Sequence, residues 1–248
     1  MKKHKSDEQI YIDILMNHGK LSGNIRKLKY QCSIRSMDNL IHKLWKNSRN
    51  FRKRAGDNLL PQEYYRLRMN RLVSYQETSL EQELNWGKNL LCLHADRLAS
   101  FFKRKSRFEN LVMQGYYPEA REELNAIQTE CCFSLWGLEQ EFLLQELEGG
   151  LEATKKFQNG LSFGCSNNWM NCFASFFSLK VERNLNNSQY NQRIQKAIKR
   201  VSPEIRLYFQ MHLQVETTIR NTIRWQKVLY YASNSSLIDY FLDYCKVC

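Results

Sequence analysis

Leu80, Leu84, Gly87, Leu91, Ala95, Leu98 and Phe102 follow one another at steps of 4, 3, 4, 4, 3 and 4. That spacing keeps seven small or apolar residues on one side of an α-helix and on no single face of a strand. The chain's punctuation agrees. Three prolines and ten glycines are too few to turn a β-protein of 248 residues, and no pair of alternating segments occurs. The expectation is an all-α protein.

Start and stop signals place the other helices. Ser6, before Asp7 and Glu8, opens a helix whose apolar face is Ile10, Ile14 and Leu15 and which ends at Gly19. Two more are expected at about 24–32 and 34–46, then a basic loop from Arg49 to Arg54 closed by Gly56. Pro61 suits the first turn of a helix to about Tyr75, and Thr78 or Ser79 caps the striped one. Lys103 to Arg107 should end that helix, because cations suit a helix C-terminus. Helices at about 106–114 and 117–129 follow, then 134–147 and 151–158, which meet at Gly149-Gly150. Four more are expected at about 167–184, 188–201, 203–232 and 235–246, with Ser188 and Ser235 as N-caps and Pro203 in a first turn.

Gly115, Tyr117, Ala120 and Leu124 show how one pair of helices would meet. The glycine closes the turn, the aromatic wedges between the helices, and the alanine admits a close approach. The segment Gln114-Gly115-Tyr116-Tyr117-Pro118-Glu119-Ala120, with Leu124 and Ile127, resembles the second half of a tetratricopeptide repeat. In the first half, Arg104, Arg107, Phe108 and Leu111 stand where that family favours Trp, Leu, Gly and Tyr, and only Leu111 fits. Pairing Ala120 with Ala153 and Leu124 with Phe157 gives a shift of 33 residues, beside a repeat period of ~34. The resemblance implies a right-handed α-solenoid of TPR-like hairpins over 57–248, behind a basic N-terminal helical segment, 1–56. It implies a concave protein-binding face and transfers no functional residue.

Charge is segregated along the chain. Residues 1–107 hold 23 Lys/Arg against 10 Asp/Glu, 108–160 hold 3 against 10, and 161–248 hold 11 against 5. A basic end beside an acidic middle either binds an anionic partner or meets its complement within the fold or across an oligomer. No apolar run of ~18 residues is present, so no membrane span is expected. The first residues lack the apolar core of a secretory leader. Eight cysteines without a disulfide-like spacing, Cys131 beside Cys132 and Cys92 and Cys172 within apolar patterns, point to reduced thiols in a cytoplasmic protein.

Five motifs touch on chemistry. Gly160-Leu161-Ser162-Phe163-Gly164 has the spacing of a hydrolase nucleophile elbow, but a helical pattern precedes it where a strand is required. Cys245 and Cys248 form one C-x-x-C without the second pair that zinc needs, so no metal or cofactor is expected. Arg206 with His212, and Arg35 with His42, resemble the R-x(4–6)-H pair of HEPN ribonucleases. The stretch 8–44 resembles the helix-turn-helix of winged-helix regulators. There Ser33, Arg35, Ser36 and Asn39 would face bases, with Lys27, Lys29, Lys43 and Lys46 near phosphates. Arg52, Lys53 and Arg54 beside Phe51, and Lys103, Arg104, Lys105 and Arg107 beside Phe101, Phe102 and Phe108, have a single-strand-binding composition.

The function expected from these features is that of a non-enzymatic adaptor or scaffold engaging a protein partner or a second copy. Nucleic-acid binding by the basic N-terminal part is the alternative, and a HEPN-like ribonuclease a third. Leu237, Phe241 and Tyr244 lie on a last helix without a polar capping helix, so a partner is expected to cover it.

Overall fold

The computed structural model describes residues 7–16, 21–56, 59–67, 79–161, 168–182, 186–199, 203–213 and 222–248, and their regular structure is entirely helical. The helices are α1 (Asp7–Met16), α2 (Leu21–Gln31), α3 (Ile34–Asn47), α4 (Arg49–Phe51), α5 (Leu80–Cys92), α6 (Ala95–Gln114) and α7 (Tyr117–Glu130). They continue as α8 (Leu135–Gly160), α9 (Asn168–Lys180), α10 (Asn187–Ile198), α11 (Pro203–Leu213), α12 (Thr222–Ala232) and α13 (Leu237–Val247). A π-helical turn, Arg52–Gly56, continues α4, and a 3-10 turn covers Tyr64–Arg66.

Short polar side chains start these helices by accepting from backbone N–H groups that have no partner within the first turn. The Ser33 hydroxyl accepts from Ser36 at 3.2 Å, Ser79 from Gln82 at 3.1 Å and Ser134 from Gly137 at 2.9 Å. Asn186 and Ser236, not Ser188 and Ser235, do the same for α10 and α13. At the far end of α6, Gly115 takes φ 81°, and Tyr116 N–H donates to Leu111 while Gly115 N–H donates to Val112. This double closure needs a left-handed residue and explains the glycine. Gly150, φ 68°, breaks α8 into two parts where the Gly-Gly pair places a boundary.

Four expectations fail locally. The stripe from Leu80 to Phe102 is cut at Leu93-His94 into α5 and α6, since apolar spacing can continue across a turn that joins two helices. Lys103 to Arg107 fall inside α6, not at its end. Arg49 to Arg54 are helical and bury Phe51 completely, and Pro61 opens no helix within 59–67. Ser6, Gly19, Thr78, residues 68–75, Ser162 and Ser202 lie outside the described residues.

Packing is organised around α5, which meets α2, α3, α6, α12 and α13. Gly87 makes the last contact close. A β-carbon there would stand 2.7 Å from the Tyr240 hydroxyl and 2.9 Å from the Tyr244 ring. The Asp239 carboxylate of α13 accepts from Leu135 N–H at 2.8 Å and Trp136 N–H at 3.1 Å, capping α8 across more than a hundred residues. One apolar cluster therefore runs from Ile10, Leu28 and Ile41 through Trp86 and Leu90 to Leu229, Leu237 and Tyr240, crossing position 56 without a break.

A second cluster joins Phe108 of α6, Ala120 and Leu124 of α7 and Leu144 of α8, with Tyr117 packed on it. Ala120 and Leu124 are fully buried, whereas Ala153 and Phe157, 33 residues on, are half-buried. Helices α6 to α9 touch their neighbours in chain order, as stacked hairpins do. Helices α12 and α13, however, return to α5 and α8, which joins the two ends of the array expected over 57–248.

Candidate nucleic-acid interface

The two basic runs have opposite surroundings. In α6, Arg104 lies 3.0 Å from Glu123 and is also paired with Glu130, and Arg107 reaches Glu123 at 3.2 Å. Lys105 pairs with Glu109, and Arg97 donates to the Glu130 carbonyl at 2.6 Å. The hydrogen bond from Arg104 holds the Glu130 carboxyl below its ordinary range. Residues 95–130 contain six Lys/Arg and six Asp/Glu, so this charge is matched within one hairpin. Phe101 and Phe108 are core residues, and Phe102 stacks edge-on against Phe241 at 5.1 Å. Of the run, Lys103 points into solvent.

Residues 21–56 contain ten Lys/Arg and one acid, Asp38. Helix α3 buries Met37, Ile41 and Leu44 and exposes Arg35, Asn39, His42, Lys43 and Lys46 on its other side. Arg49, Lys53 and Arg54 are exposed beyond it, and Lys27 is half-buried on α2. Asp38 receives the Asn89 amide at 2.7 Å, with Lys88 3.9 Å away.

Some residues expected in this face serve structure instead. Arg52 donates to the Trp45 and Lys46 carbonyls at 2.6 and 3.0 Å, closing the end of α3. Ser33 caps α3, and Ser36 bonds Asp7 of α1. Arg35 and His42 stand two turns apart on the exposed side of α3, separated by about 10 Å of helical rise.

Lys29 is not a phosphate contact on an open surface. Its ammonium lies 2.7 Å from Glu83, with side-chain exposures of 8% and 0%. It also sits 5.3, 5.4 and 5.9 Å from the ring centroids of Tyr230, Tyr30 and Trp86. Burial pulls its pKa down, and Glu83 opposes that shift without cancelling it. Beside this pair is a cleft of about 160 Å³, lined by α2, the π-helical turn, α5 and the end of α12. Arg26 and Arg54, both exposed, stand at its edge, and Ser233 and Asn234 add polar groups.

The other candidates resolve into structure. His212 meets Asp243 at 3.0 Å, and Lys246 meets the other Asp243 oxygen at 3.0 Å. Burial alone would lower the His212 pKa, but the Asp243 carboxylate outweighs it and the net shift is upward. Burial likewise works against an ionised Asp243, yet His212 and Lys246 hold its pKa below the ordinary value. Arg206 turns instead to the Ile198 and Lys199 carbonyls at the end of α10, so the structure does not bring this Arg-His pair onto one site. Burial raises the Cys32 and Cys132 thiols to about 12, which leaves little thiolate near neutrality. Cys245 and Cys248 are exposed, and among the described residues no cluster of three metal-ligand types forms. No described helix is long and apolar enough to cross a membrane.

The last helix also differs from expectation. Leu237 is fully buried and Phe241 and Tyr244 half-buried, all within this chain, with the Tyr244 hydroxyl donating to the Leu84 carbonyl at 3.2 Å. Helix α13 packs on α5, α8 and α12, which bury Leu237 and leave part of Phe241 and Tyr244 accessible. Comparison with protein-family models, curated proteins and solved structures returned no match.

Proposed function

We propose that this chain binds nucleic acid without catalysing its turnover, laying α3 and the turn that follows against the sugar-phosphate backbone. One observation carries the reading. Arg35, Lys43 and Lys46 share the solvent side of α3 with Asn39, in a segment whose only acid is Asp38. Cations placed this way release condensed counterions when they meet phosphates, and affinity then falls steeply with salt. Asn39, among them, has an amide suited to a base edge. The test is binding of a mixed-sequence DNA duplex at two salt concentrations. Replacing Arg35, Lys43 and Lys46 by alanine should weaken low-salt binding at least tenfold with the circular dichroism unchanged. An unmodified chain that ignores DNA at low salt ends the reading. Polyglutamate competing as well as DNA would mark the face as one for acidic proteins.

A second reading, an adaptor built on TPR-like hairpins, draws on a different observation. Met113 is 77% exposed and Tyr116 54% exposed at the tip of the α6–α7 hairpin. Apolar side chains held out on a rigid turn suit a protein partner. A protein that co-purifies with the chain and is lost on Met113→Glu with Tyr116→Glu would support it.

A further inference from the structure

We infer that the cleft beside Lys29 receives one unpaired pyrimidine nucleotide, its ring between the aromatic walls and its phosphate on Arg26 and Arg54. The inference deepens the nucleic-acid reading and rests on it for the source of the nucleotide. Size comes first. A dry cavity of ~150 Å³ holds benzene, so about 160 Å³ takes one six-membered ring and leaves a purine crowded.

The walls suit a flat ring, because Tyr30, Trp86 and Tyr230 line the space and bases stack on such faces without regard to sequence. The floor suits a carbonyl. Lys29 carries three donors, and its close contact with Glu83 at 2.7 Å occupies one of them. A pyrimidine O2 is an acceptor of the right kind for the others, with Ser233 and Asn234 beside it. The lining also suits an anion, because Arg26 and Arg54, both exposed residues, belong to it and could meet a phosphate attached to the ring's sugar. A bare phosphate would use only that edge and leave the aromatic walls idle.

The experiment titrates the full chain with UMP, ribose 5-phosphate and AMP, following tryptophan fluorescence and heat. UMP should quench saturably, bind at least tenfold more tightly than ribose 5-phosphate and more tightly than AMP. Arg26→Gln with Arg54→Gln should weaken it at least tenfold without altering the circular dichroism, and Trp86→Phe should remove the quench. An octamer of dT should in turn bind more tightly than the same octamer carrying abasic sites. Ribose 5-phosphate binding as well as UMP would overturn the inference, as would equal binding of the two octamers. If UMP fails while duplex DNA still binds through α3, the cleft is refuted and the α3 face stands. If the duplex fails and UMP binds, the cleft stands as a mononucleotide site and the α3 reading falls.

Discussion

Two stretches of this chain look alike on paper and differ in the fold. Lys103 to Arg107 and Arg26 to Arg54 are both dense in cations and both carry or adjoin phenylalanine. The first lies on α6 against the acidic α7, where Glu123 and Glu130 answer Arg104 and Arg107. The second lies on α2, α3 and the π-helical turn, a segment that itself holds ten cations and one acid and that meets Glu83 of α5 at Lys29. Cationic density therefore says little about a binding surface until the carboxylates opposite it are known. Surface ion pairs are individually weak, but they decide which cations remain available to a partner.

Lys29 breaks the pattern within its own region, since it alone there is buried against a carboxylate, and it should behave as a structural cation. Lys29→Ala leaves Glu83 charged in the core and should cost about 3–5 kcal/mol in urea unfolding, whereas Arg35→Ala on α3 should cost almost nothing. The seam that carries both regions is the next test. Gly87→Ala forces a β-carbon against Tyr240 and Tyr244, and overpacking of this kind costs about 1–3 kcal/mol. Arg104→Gln should remove about 1 kcal/mol with little effect on DNA affinity, which would show that the α6 cations serve the fold.

The smallest effect is a pH dependence lying outside both basic regions. His212 has its pKa raised in the folded state, so its pairing with Asp243 contributes fully below the unfolded value of ~6.5. That contribution is lost as pH rises through the higher folded value. Asp243, with a lowered pKa, contributes above the unfolded carboxylate value and loses its share as pH falls through the folded one. Asp239, raised by burial, acts in the opposite sense and costs stability as pH climbs through the carboxylate range. Melting temperature should therefore decline as pH rises past about 6.5, and His212→Gln should flatten that decline.

Local signals carried the parts of the fold that depend on neighbours in sequence. Ser79 as one of two cap candidates, the helix start at 134, Gly115 as the closure of a turn and the break at Gly149-Gly150 were all legible, because each acts within one turn of helix. The cut at Leu93-His94 was not, since neither glycine nor proline marks it and the apolar spacing runs straight through. Pairing was hidden for another reason. Arg104 and Glu130 meet only once α7 has folded back on α6, and Asp239 and Leu135 only after helices far apart in sequence have packed. Arg35, Asn39 and Lys43, spaced by four residues, share one exposed side of α3, whereas Lys29, Ser33 and Ser36 of the same expected set serve structure. The cleft was not legible, as its lining comes from residues near 26, 54, 86 and 230. One clue was present: Glu83 stands four residues before Gly87 on the apolar stripe, where a carboxylate needs a buried partner.

Two charge-matched variants give the most direct measurement. One replaces Arg35, Lys43 and Lys46 by alanine, the other Lys103, Lys105 and Arg107, and the slope of log affinity for duplex DNA against log salt is compared with that of the unmodified chain. Loss of three phosphate contacts should make the slope shallower by about 3 in the first variant and leave it unchanged in the second. Equal loss in both, or loss only in the second, would contradict the division of labour between α3 and α6.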